Sequence, residues 1–400
     1  MYRNTYLEIN LDKLEKNVEN IVNTFTGYKY YIGVVKGNAY GYGEYIAKYI
    51  TEKGINYLAV ATLEEAINVR KYVKGTPILI LEPISLEYID MAIKNNFTIT
   101  ISSYDYFVKL KDLKLEKELK FHLKLNTGMN RLGVSDKELV NKIFNEVNEV
   151  NNLFLEGIFT HLATSGVYDT LYKKQIDKFR DLVSEIDLSK IEIVHIGRSC
   201  TLDFFPKIDF CNGVRIGIMM YGVGSTFPTY RRGILGRLQH LKRDYFYRNN
   251  DLPVPYQKRK LNPIQALSLK SEVIEIQKVK ELDYVGYGAN NRVSHDGYIA
   301  VIPLGYSDGI NTNYHNLMVK INDKEYPVVG SINMGMMTIL VDDKVKVHDI
   351  VTVVDENTSY KALANIFNIS PYVLLTNLRR ELPRVYIKDG KMVKVINYGE

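Results

Sequence analysis

The chain has 400 residues, of which 46% are hydrophobic and 24% are charged, and its formal net charge is +6. This length and apolar content exclude a disordered chain, allow a large buried core and favour two domains. The basic excess is local, because residues 230–260 hold nine Lys or Arg and two Asp or Glu, so the remaining residues sum to −1.

Cysteine content and hydropathy restrict the class of protein further. Cys200 and Cys211 are too few for a disulfide framework, and no spacing of residues is typical of a zinc site, so we expect no metal. The first residues contain no apolar segment of signal-peptide length, and no run approaches the ~18 apolar residues of a membrane span. We therefore expect a cytoplasmic protein that makes no membrane contact.

The first half of the chain predicts parallel β/α units. After a helix at 11–26, apolar runs that alternate with amphipathic segments predict eight strands, at 30–36, 57–61, 77–81, 97–102, 120–126, 155–162, 192–197 and 214–221. Eight such strands indicate a (β/α)8, TIM-like barrel, and an open doubly wound sheet is the alternative. No G-x-G-x-x-G motif follows the first strand, which favours the barrel.

Several polar residues stand at the C-terminal ends of these predicted strands, and in a barrel those ends face one mouth. They are Lys36, Lys124 with Asn126, His161, Ser199 and Arg215. A lysine at the end of a buried strand has a lowered pKa, which suits it to bond covalently with a carbonyl cofactor such as pyridoxal phosphate. Taken singly, His161 could instead be a core histidine, Ser199 a helix cap and Arg215 a salt-bridged arginine.

The alternation of strands and helices stops at Gly222. We predict a barrel domain over 1–225, a basic and aromatic connection over 226–262 with a helix at 236–247, and a mostly β C-terminal domain over 263–400. Basic and aromatic residues together can bind nucleic acid. A solvated loop or an oligomer contact is the favoured interpretation of the connection, because no nucleic-acid-binding fold is recognisable.

The segment Val34-Val35-Lys36-Gly37-Asn38-Ala39-Tyr40-Gly41-Tyr42-Gly43 resembles the pyridoxal-phosphate lysine signature of alanine racemases. The resemblance continues in the same order from residues 7–12 to residues 382–386. It implies a barrel and a β domain, a head-to-tail homodimer with shared active sites, and pyridoxal 5'-phosphate as cofactor. The implied reaction interconverts L-alanine and D-alanine and supplies D-alanine for peptidoglycan.

The resemblance also implies a role for individual residues. The two catalytic bases are Lys36 and the partner subunit's Tyr287. Besides Lys36, the cofactor would contact His161, Arg215 and Arg380, and its phosphate would contact Tyr40, Ser199 and the backbone N–H groups of Gly217 and Ile218. The substrate amino acid would contact Arg131, Met334 and Tyr306, and Lys124 matches a lysine that is carbamylated in many members of the family. Arg215 would face the pyridine nitrogen and, because a guanidinium only donates hydrogen bonds, would keep that nitrogen unprotonated.

Some residues depart from the family pattern. Arg198 stands where asparagine is usual, and Arg380 stands where a phosphate-binding tyrosine is frequent. Near the substrate, Asn333 and Gly335 replace the usual cysteine and aspartate. These changes keep open a racemase for another amino acid such as serine. A non-catalytic protein that binds the cofactor or associates with nucleic acid is the alternative from another class.

Overall fold

The computed structural model describes residues 1–226, 233–256, 258–289, 291–314 and 317–399. Its two main parts are a closed eight-stranded barrel and a ten-stranded sheet. The predicted α/β fold, an N-terminal (β/α)8 barrel followed by a mostly β C-terminal domain, is confirmed. The open doubly wound sheet is excluded, because the first barrel strand pairs with the last.

The chain begins with strand β1 (Tyr6–Asn10) and helix α1 (Leu11–Thr24). The barrel follows, with strands β2 (Tyr30–Val34), β3 (Tyr57–Val60), β4 (Ile78–Ile80), β5 (Phe97–Ile101), β6 (Leu119–Lys124), β7 (Leu153–Phe159), β8 (Ile193–Arg198) and β9 (Gly213–Ile216). Each overlaps a predicted strand. The last ends earlier than predicted, because the chain turns at Gly217, whose carbonyl accepts a hydrogen bond from Met220 N at 2.9 Å.

Helices cover the outside of the barrel, which explains why its strands read as continuous apolar runs. After α1 they are α3 (Ala47–Glu52), α4 (Leu63–Arg70), α5 (Ile89–Lys94), α6 (Tyr104–Lys111), α7 (Lys137–Glu146), α8 (Leu171–Leu182) and α9 (Ser199–Phe204). The short element α2 (Lys36–Tyr40) lies at the rim of the barrel and has left-handed backbone angles. Side-chain caps fix several starts: Thr62, Ser103 and Asp136 each accept a backbone N–H of the first turn.

The second sheet is formed by the C-terminal part of the chain together with β1. Its other strands are β10 (Leu267–Glu272), β11 (Glu275–Val279), β12 (Gly297–Ile302), β13 (Met318–Ile321), β14 (Lys324–Val329), β15 (Met337–Val341), β16 (Ile350–Val354), β17 (Arg384–Lys388) and β18 (Lys391–Ile396). Helices α11 (Tyr360–Phe367) and α12 (Pro371–Thr376) lie between β16 and β17. Strand β1 pairs with β10 and β17, so residues 6–10 belong to this sheet although the predicted limit of 1–225 assigns them to the barrel. The domain limits themselves stay a prediction.

The basic connection contains helix α10 (Ile234–Asn249), which extends beyond the predicted 236–247. Tyr247 anchors its buried face, and the Tyr247 hydroxyl accepts a hydrogen bond from Tyr168 N at 2.7 Å. The opposite face carries the exposed apolar side chains Ile234, Leu238, Leu241 and Tyr245. Residues 227–232 and 257 of this connection lie outside the described residues. Among the helices that are described, none is both long and apolar enough to cross a bilayer.

Candidate active site

Lys36 stands at the rim of the barrel, two residues after β2 ends. Its side chain is half-buried, and burial, followed by the charge of Arg131, lowers its pKa below the ordinary 10.5. The charge of Arg215 acts in the same direction, and Glu65 and Glu82 oppose it. A lysine amine with a lowered pKa is more often neutral and therefore more nucleophilic.

The residues after Lys36 form a left-handed turn, where the sequence predicts only a tight turn. Gly37, Asn38, Ala39 and Tyr40 have φ angles of 63°, 53°, 49° and 54°. This conformation costs a residue with a Cβ ~1–2 kcal/mol. Glu65 holds the turn, because its two carboxylate oxygens accept Gly37 N and Ala61 N, each at 2.7 Å.

The four residues expected to bind a phosphate lie together. The buried ring of Tyr40 stacks on Tyr221 at a centroid distance of 4.7 Å. Ser199 Oγ accepts Gly217 N at 3.0 Å, and Ile218 follows in the same turn. A Cβ added to Gly217 would come within 2.7 Å of the Tyr40 hydroxyl, so only glycine allows the backbone to approach so closely. We call Tyr40, Ser199, Gly217 and Ile218 the phosphate cradle, after the group that the resemblance assigns to them.

Arg380 does not join the phosphate cradle. Its Nη2 atom lies 3.3 Å from a carboxylate oxygen of Glu44, and its side chain is 43% exposed. It lines a different cavity, together with Asn38 and Glu44. The structure therefore places this guanidinium in an ion pair.

Arg215 is buried in the barrel interior. Its Nη2 atom donates to the carbonyl oxygens of Thr160 at 2.7 Å and Ile196 at 3.1 Å. Burial lowers its pKa to about 9. In the described part of the chain no carboxylate lies within ion-pair distance of it, so the salt-bridged arginine considered above is not what the structure shows.

His161 lies beside Arg215, with 3.3 Å between His161 Nδ1 and Arg215 Nη2. Because a guanidinium only donates, Nδ1 is the acceptor and Nε2 carries the proton. Burial, and then the charge of Arg215, lower the pKa of His161 to about 2. The imidazole is therefore neutral across the physiological pH range.

A chain of hydrogen bonds leads from Arg215 through the barrel core. Arg215 Nη1 lies 2.5 Å from His195 Nδ1, His195 Nε2 lies 2.9 Å from His122 Nδ1, and His122 Nε2 lies 3.2 Å from Glu156 Oε2. The donor-only guanidinium sets the direction: each imidazole accepts at Nδ1 and donates at Nε2, and the carboxylate accepts last. We call Arg215, His195, His122 and Glu156 the barrel relay.

Lys124 and Arg131 lie at the same mouth. Lys124 ends β6, is buried, and has a pKa lowered to about 8 by burial and then by the charge of Arg131. Arg131 is exposed, on a loop that Asn126 shapes by accepting Gly128 N and Asn130 N. The mouth thus collects positive charge, which suits anionic ligands.

The remaining expected residues lie on the C-terminal domain. Tyr306 N donates to the Asn333 carbonyl at 3.0 Å, next to Met334, and Ser331 Oγ donates to the Tyr287 carbonyl at 3.3 Å. The exposed fractions are 77% for Tyr287, 64% for Met334 and 45% for Tyr306. Within one chain, these three residues therefore form a surface and are not part of the buried barrel mouth.

The structure adds supporting residues that the sequence analysis did not single out: Glu65, His122, Glu156 and His195. A signal exists for the histidines, because each interrupts an apolar run in the middle of a predicted strand, where a polar residue needs a buried partner. Glu65 reads as an ordinary residue of a helix start, so no sequence signal identifies it.

The fold and the site define the class of protein. A closed β/α barrel that gathers a half-buried lysine, a buried arginine and a neutral histidine at its C-terminal mouth is the arrangement of a β/α-barrel enzyme.

Comparison with known proteins identifies the family. Residues 9–225 match the family model for the N-terminal domain of alanine racemase, and residues 266–386 match that for its C-terminal domain. Alanine racemase 1 of Clostridium acetobutylicum is 32% identical over 410 residues, which cover 99% of this chain and 98% of the relative. The chain therefore belongs to the alanine racemase family.

Solved structures agree with this assignment. An alanine racemase of Clostridium difficile 630 is similar with a TM-score of 0.85 and 28% identity, over 100% of both chains. The alanine racemase of Bacillus anthracis with bound L-Ala-P gives a TM-score of 0.82 at 28% identity, over 100% of this chain and 98% of that one. These proteins are racemases, which are isomerases, so the predicted class of enzyme is confirmed.

Proposed function

We propose that this chain is a pyridoxal-phosphate-dependent alanine racemase that uses two bases, Lys36 and the partner subunit's Tyr287, and supplies D-alanine for peptidoglycan. The observation that carries the proposal is the half-buried Lys36, with its lowered pKa, at the mouth of a barrel that also holds Arg215. The comparisons do not favour a serine racemase or a nucleic-acid-associated protein.

The residues at the mouth fit pyridoxal phosphate. The Lys36 amine would hold its carbonyl carbon, the phosphate cradle would hold its phosphate, and Arg215 would face its ring nitrogen. The close approach of Gly217 to Tyr40, which leaves no room for a Cβ, supports this fit. When bound, the cofactor supplies delocalisation of the electrons left when an α-proton is removed. Since Arg215 only donates, the ring nitrogen stays unprotonated, which favours proton transfer over other outcomes.

Racemisation needs one base on each face of the α-carbon. Lys36 Nζ would hold or release a proton on one face, and the phenol oxygen of the partner subunit's Tyr287 on the other. A phenol has an ordinary pKa of about 10, so its phenolate needs a hydrogen-bond donor. His161 can supply that donor, because its Nδ1 accepts from Arg215 and its Nε2 carries the proton.

The substrate carboxylate would bind Arg131 and the backbone N–H of Met334, and Tyr306 would line the entrance. Carbamylation requires a neutral lysine amine, and the pKa of about 8 for Lys124 provides one at a pH close to neutral. The carbamate would be an anion next to Arg131 and would orient its guanidinium.

A homodimer with shared active sites accounts for the exposure of Tyr287, Met334 and Tyr306 in the single chain. Packing of this surface against the barrel mouth of a second copy would bury all three residues and bring Tyr287 to the face opposite Lys36. The cytoplasmic location stays a prediction.

The first experiment is to incubate the cofactor-loaded protein with single L-amino acids in heavy water and to measure both enantiomers and their α-deuterium. We expect deuterated D-alanine. Deuterated D-serine without D-alanine would reassign the substrate, and no exchange with any amino acid would overturn the function.

The shared site is tested by mixing Lys36→Ala and Tyr287→Phe proteins after dissociation and reassociation. Each variant alone is expected to be inactive, whereas each mixed dimer holds one intact site, so about a quarter of the wild-type activity returns after random mixing. If no activity returns although mixed dimers form, the two bases do not come from different subunits.

A further inference from the structure

A second positively charged cavity lies next to the phosphate cradle. Its volume is about 220 Å³, several times the ~30 Å³ that one water molecule takes up in the liquid. The described residues that line it include Arg198, Ile218, Ser225, Lys361 and Tyr372, and none of them is a carboxylate. Ile218 also belongs to the phosphate cradle, so the two sites share this residue.

Arg198 has donors that the protein does not use. Its Nη2 atom donates to the Thr164 carbonyl at 2.9 Å, but its Nε atom is buried without a hydrogen-bond partner among the described residues. A buried charged donor without an acceptor costs ~1–3 kcal/mol or more. Arg198 also lines the cavity, so other donors of its guanidinium can reach an anion bound there.

Tyr372 connects this cavity to Tyr40. The two rings have a centroid distance of 5.9 Å, and Tyr372 stands at the start of α12, which packs against the left-handed turn. Burial raises the pKa of both phenols, and the positive charge of Arg198 acts on both in the opposite direction. Tyr372 therefore lines the cavity and at the same time packs beside the ring of Tyr40, a member of the phosphate cradle.

Lys361 adds charge from the other wall. Its Nζ atom donates to the carbonyls of Gly224 at 2.9 Å and Ser225 at 3.2 Å. The buried carboxylate of Asp203 lies behind this wall and accepts Ser225 N at 2.8 Å. Lys361 thus holds the backbone of this wall in place, and Arg198 provides the hydrogen-bond donors for an anion.

Arg380 cannot take this role in the conformation seen, because its charge is paired with Glu44 and it lines another cavity. We propose that Arg198, together with Tyr372, binds the phosphate of pyridoxal phosphate, with Lys361 as a positioning residue, and that Arg380 does not. The proposal rests on the proposed function, since it assumes that the chain binds this cofactor.

The test compares pyridoxal phosphate with pyridoxal, which lacks the phosphate. Cofactor-free wild type, Arg198→Gln and Arg380→Gln are titrated with each ligand, and dissociation constants are measured from absorbance and from quenching of tyrosine fluorescence. We expect Arg198→Gln to lose about ten- to hundredfold in affinity for pyridoxal phosphate and little for pyridoxal, as for loss of a charge-assisted hydrogen bond. Arg380→Gln should keep the wild-type ratio of the two constants.

Further measurements separate the outcomes. Arg198→Lys keeps the charge and should give an intermediate ratio, and the phosphorus NMR signal of the bound cofactor should shift in Arg198→Gln only. The proposal is overturned if Arg198→Gln keeps the wild-type preference for pyridoxal phosphate over pyridoxal, or if Arg380→Gln loses that preference. If Arg198→Gln does not fold, an unchanged ratio in Arg198→Lys overturns it instead. Wild type that binds neither ligand would refute the proposed function and this inference with it, whereas binding with an unchanged ratio refutes the inference alone.

Discussion

Arg215 Nη1 lies 2.5 Å from His195 Nδ1, and this contact begins the barrel relay that ends at Glu156. The buried guanidinium has no adjacent carboxylate in the described structure, so the nearest compensation along the relay is the charge of Glu156, two imidazoles away. Each member is nine-tenths buried or more. Removal of one partner from a buried network of this kind leaves a polar group unpaired in a low dielectric.

Glu156→Gln should therefore destabilise the protein. Burial raises the pKa of Glu156, but the hydrogen bonds from His122, Tyr57 and Lys120 outweigh it and hold the pKa at about 2, below the ordinary 4.5. We expect a loss of ~3 kcal/mol near neutral pH, the cost of breaking a buried charge network. Chemical denaturation measures it.

The loss of stability in Glu156→Gln should depend on pH in a definite direction. A carboxylate whose pKa falls on folding stabilises the folded state above the unfolded pKa, here 4.5, and loses that contribution as pH falls through about 2. The deficit of Glu156→Gln should therefore shrink between pH 4.5 and pH 2. The exposed Glu118→Gln is the control and should show little change at any pH. A deficit that is constant with pH would mean that Glu156 acts only through packing.

Glu65→Gln should weaken the left-handed turn next to Lys36. The amide replaces one acceptor oxygen by a donor, so either Gly37 N or Ala61 N loses its partner, at a cost of ~1–3 kcal/mol. Hydrogen exchange of these two amides should become faster by ~10-fold or more. The neighbouring exposed Glu64→Gln is the matched control. Equal exchange rates in the two variants would show that Glu65 does not hold the turn.

Gly41→Ala should cost more than Gly75→Ala, although both glycines have nearly the same φ, 84° and 83°. A Cβ at Gly41 would lie 2.5 Å from the Leu375 carbonyl oxygen, whereas a Cβ at Gly75 meets nothing within 4 Å. The backbone penalty of ~1–2 kcal/mol is common to both, and the clash adds ~1–3 kcal/mol at Gly41. Denaturation midpoints measure the difference. Equal losses would show that α12 moves away without cost.

The sequence predicts the barrel well, because eight apolar runs at regular spacing can form few other folds. In a barrel, the polar residues at the strand ends must meet at one mouth. The sequence cannot predict the left-handed turn after Lys36, since Ala39 and Tyr40 have no local preference for positive φ and Glu65 holds the turn from another helix. The sequence does not predict the position of the Arg380 side chain either, because Glu44, its ion-pair partner, lies 336 residues away in the chain. Long-range ion pairs leave no periodic pattern.

Lys124→Met should stabilise the protein in carbon-dioxide-free buffer at pH 7. The folded pKa of Lys124 is about 8, against an ordinary 10.5, because burial and then Arg131 disfavour the ammonium. Between these values the unfolded chain binds more protons, so wild-type stability rises with pH from 8 to 10.5. The advantage of Lys124→Met should therefore be largest below pH 8 and should shrink towards pH 10.5. An advantage that does not change with pH would argue against a buried charge.

Bicarbonate should make wild type more stable than Lys124→Met, the reverse of the order expected without carbon dioxide. At pH 8 about half of the Lys124 side chains are neutral amines, which can add carbon dioxide, and the resulting anion would pair with Arg131 and offset the positive charge of the mouth. Wild type in bicarbonate should gain stability and the mass of one carbon dioxide under native mass spectrometry, whereas Lys124→Met should gain neither. Lys120→Met is the matched control: Lys120 lies on the same strand but pairs with Glu156 at 3.0 Å and has a raised pKa, so its loss should leave the adduct in place. An adduct that persists in Lys124→Met would place the reactive amine elsewhere, with Lys36 as the next candidate because its pKa is also lowered.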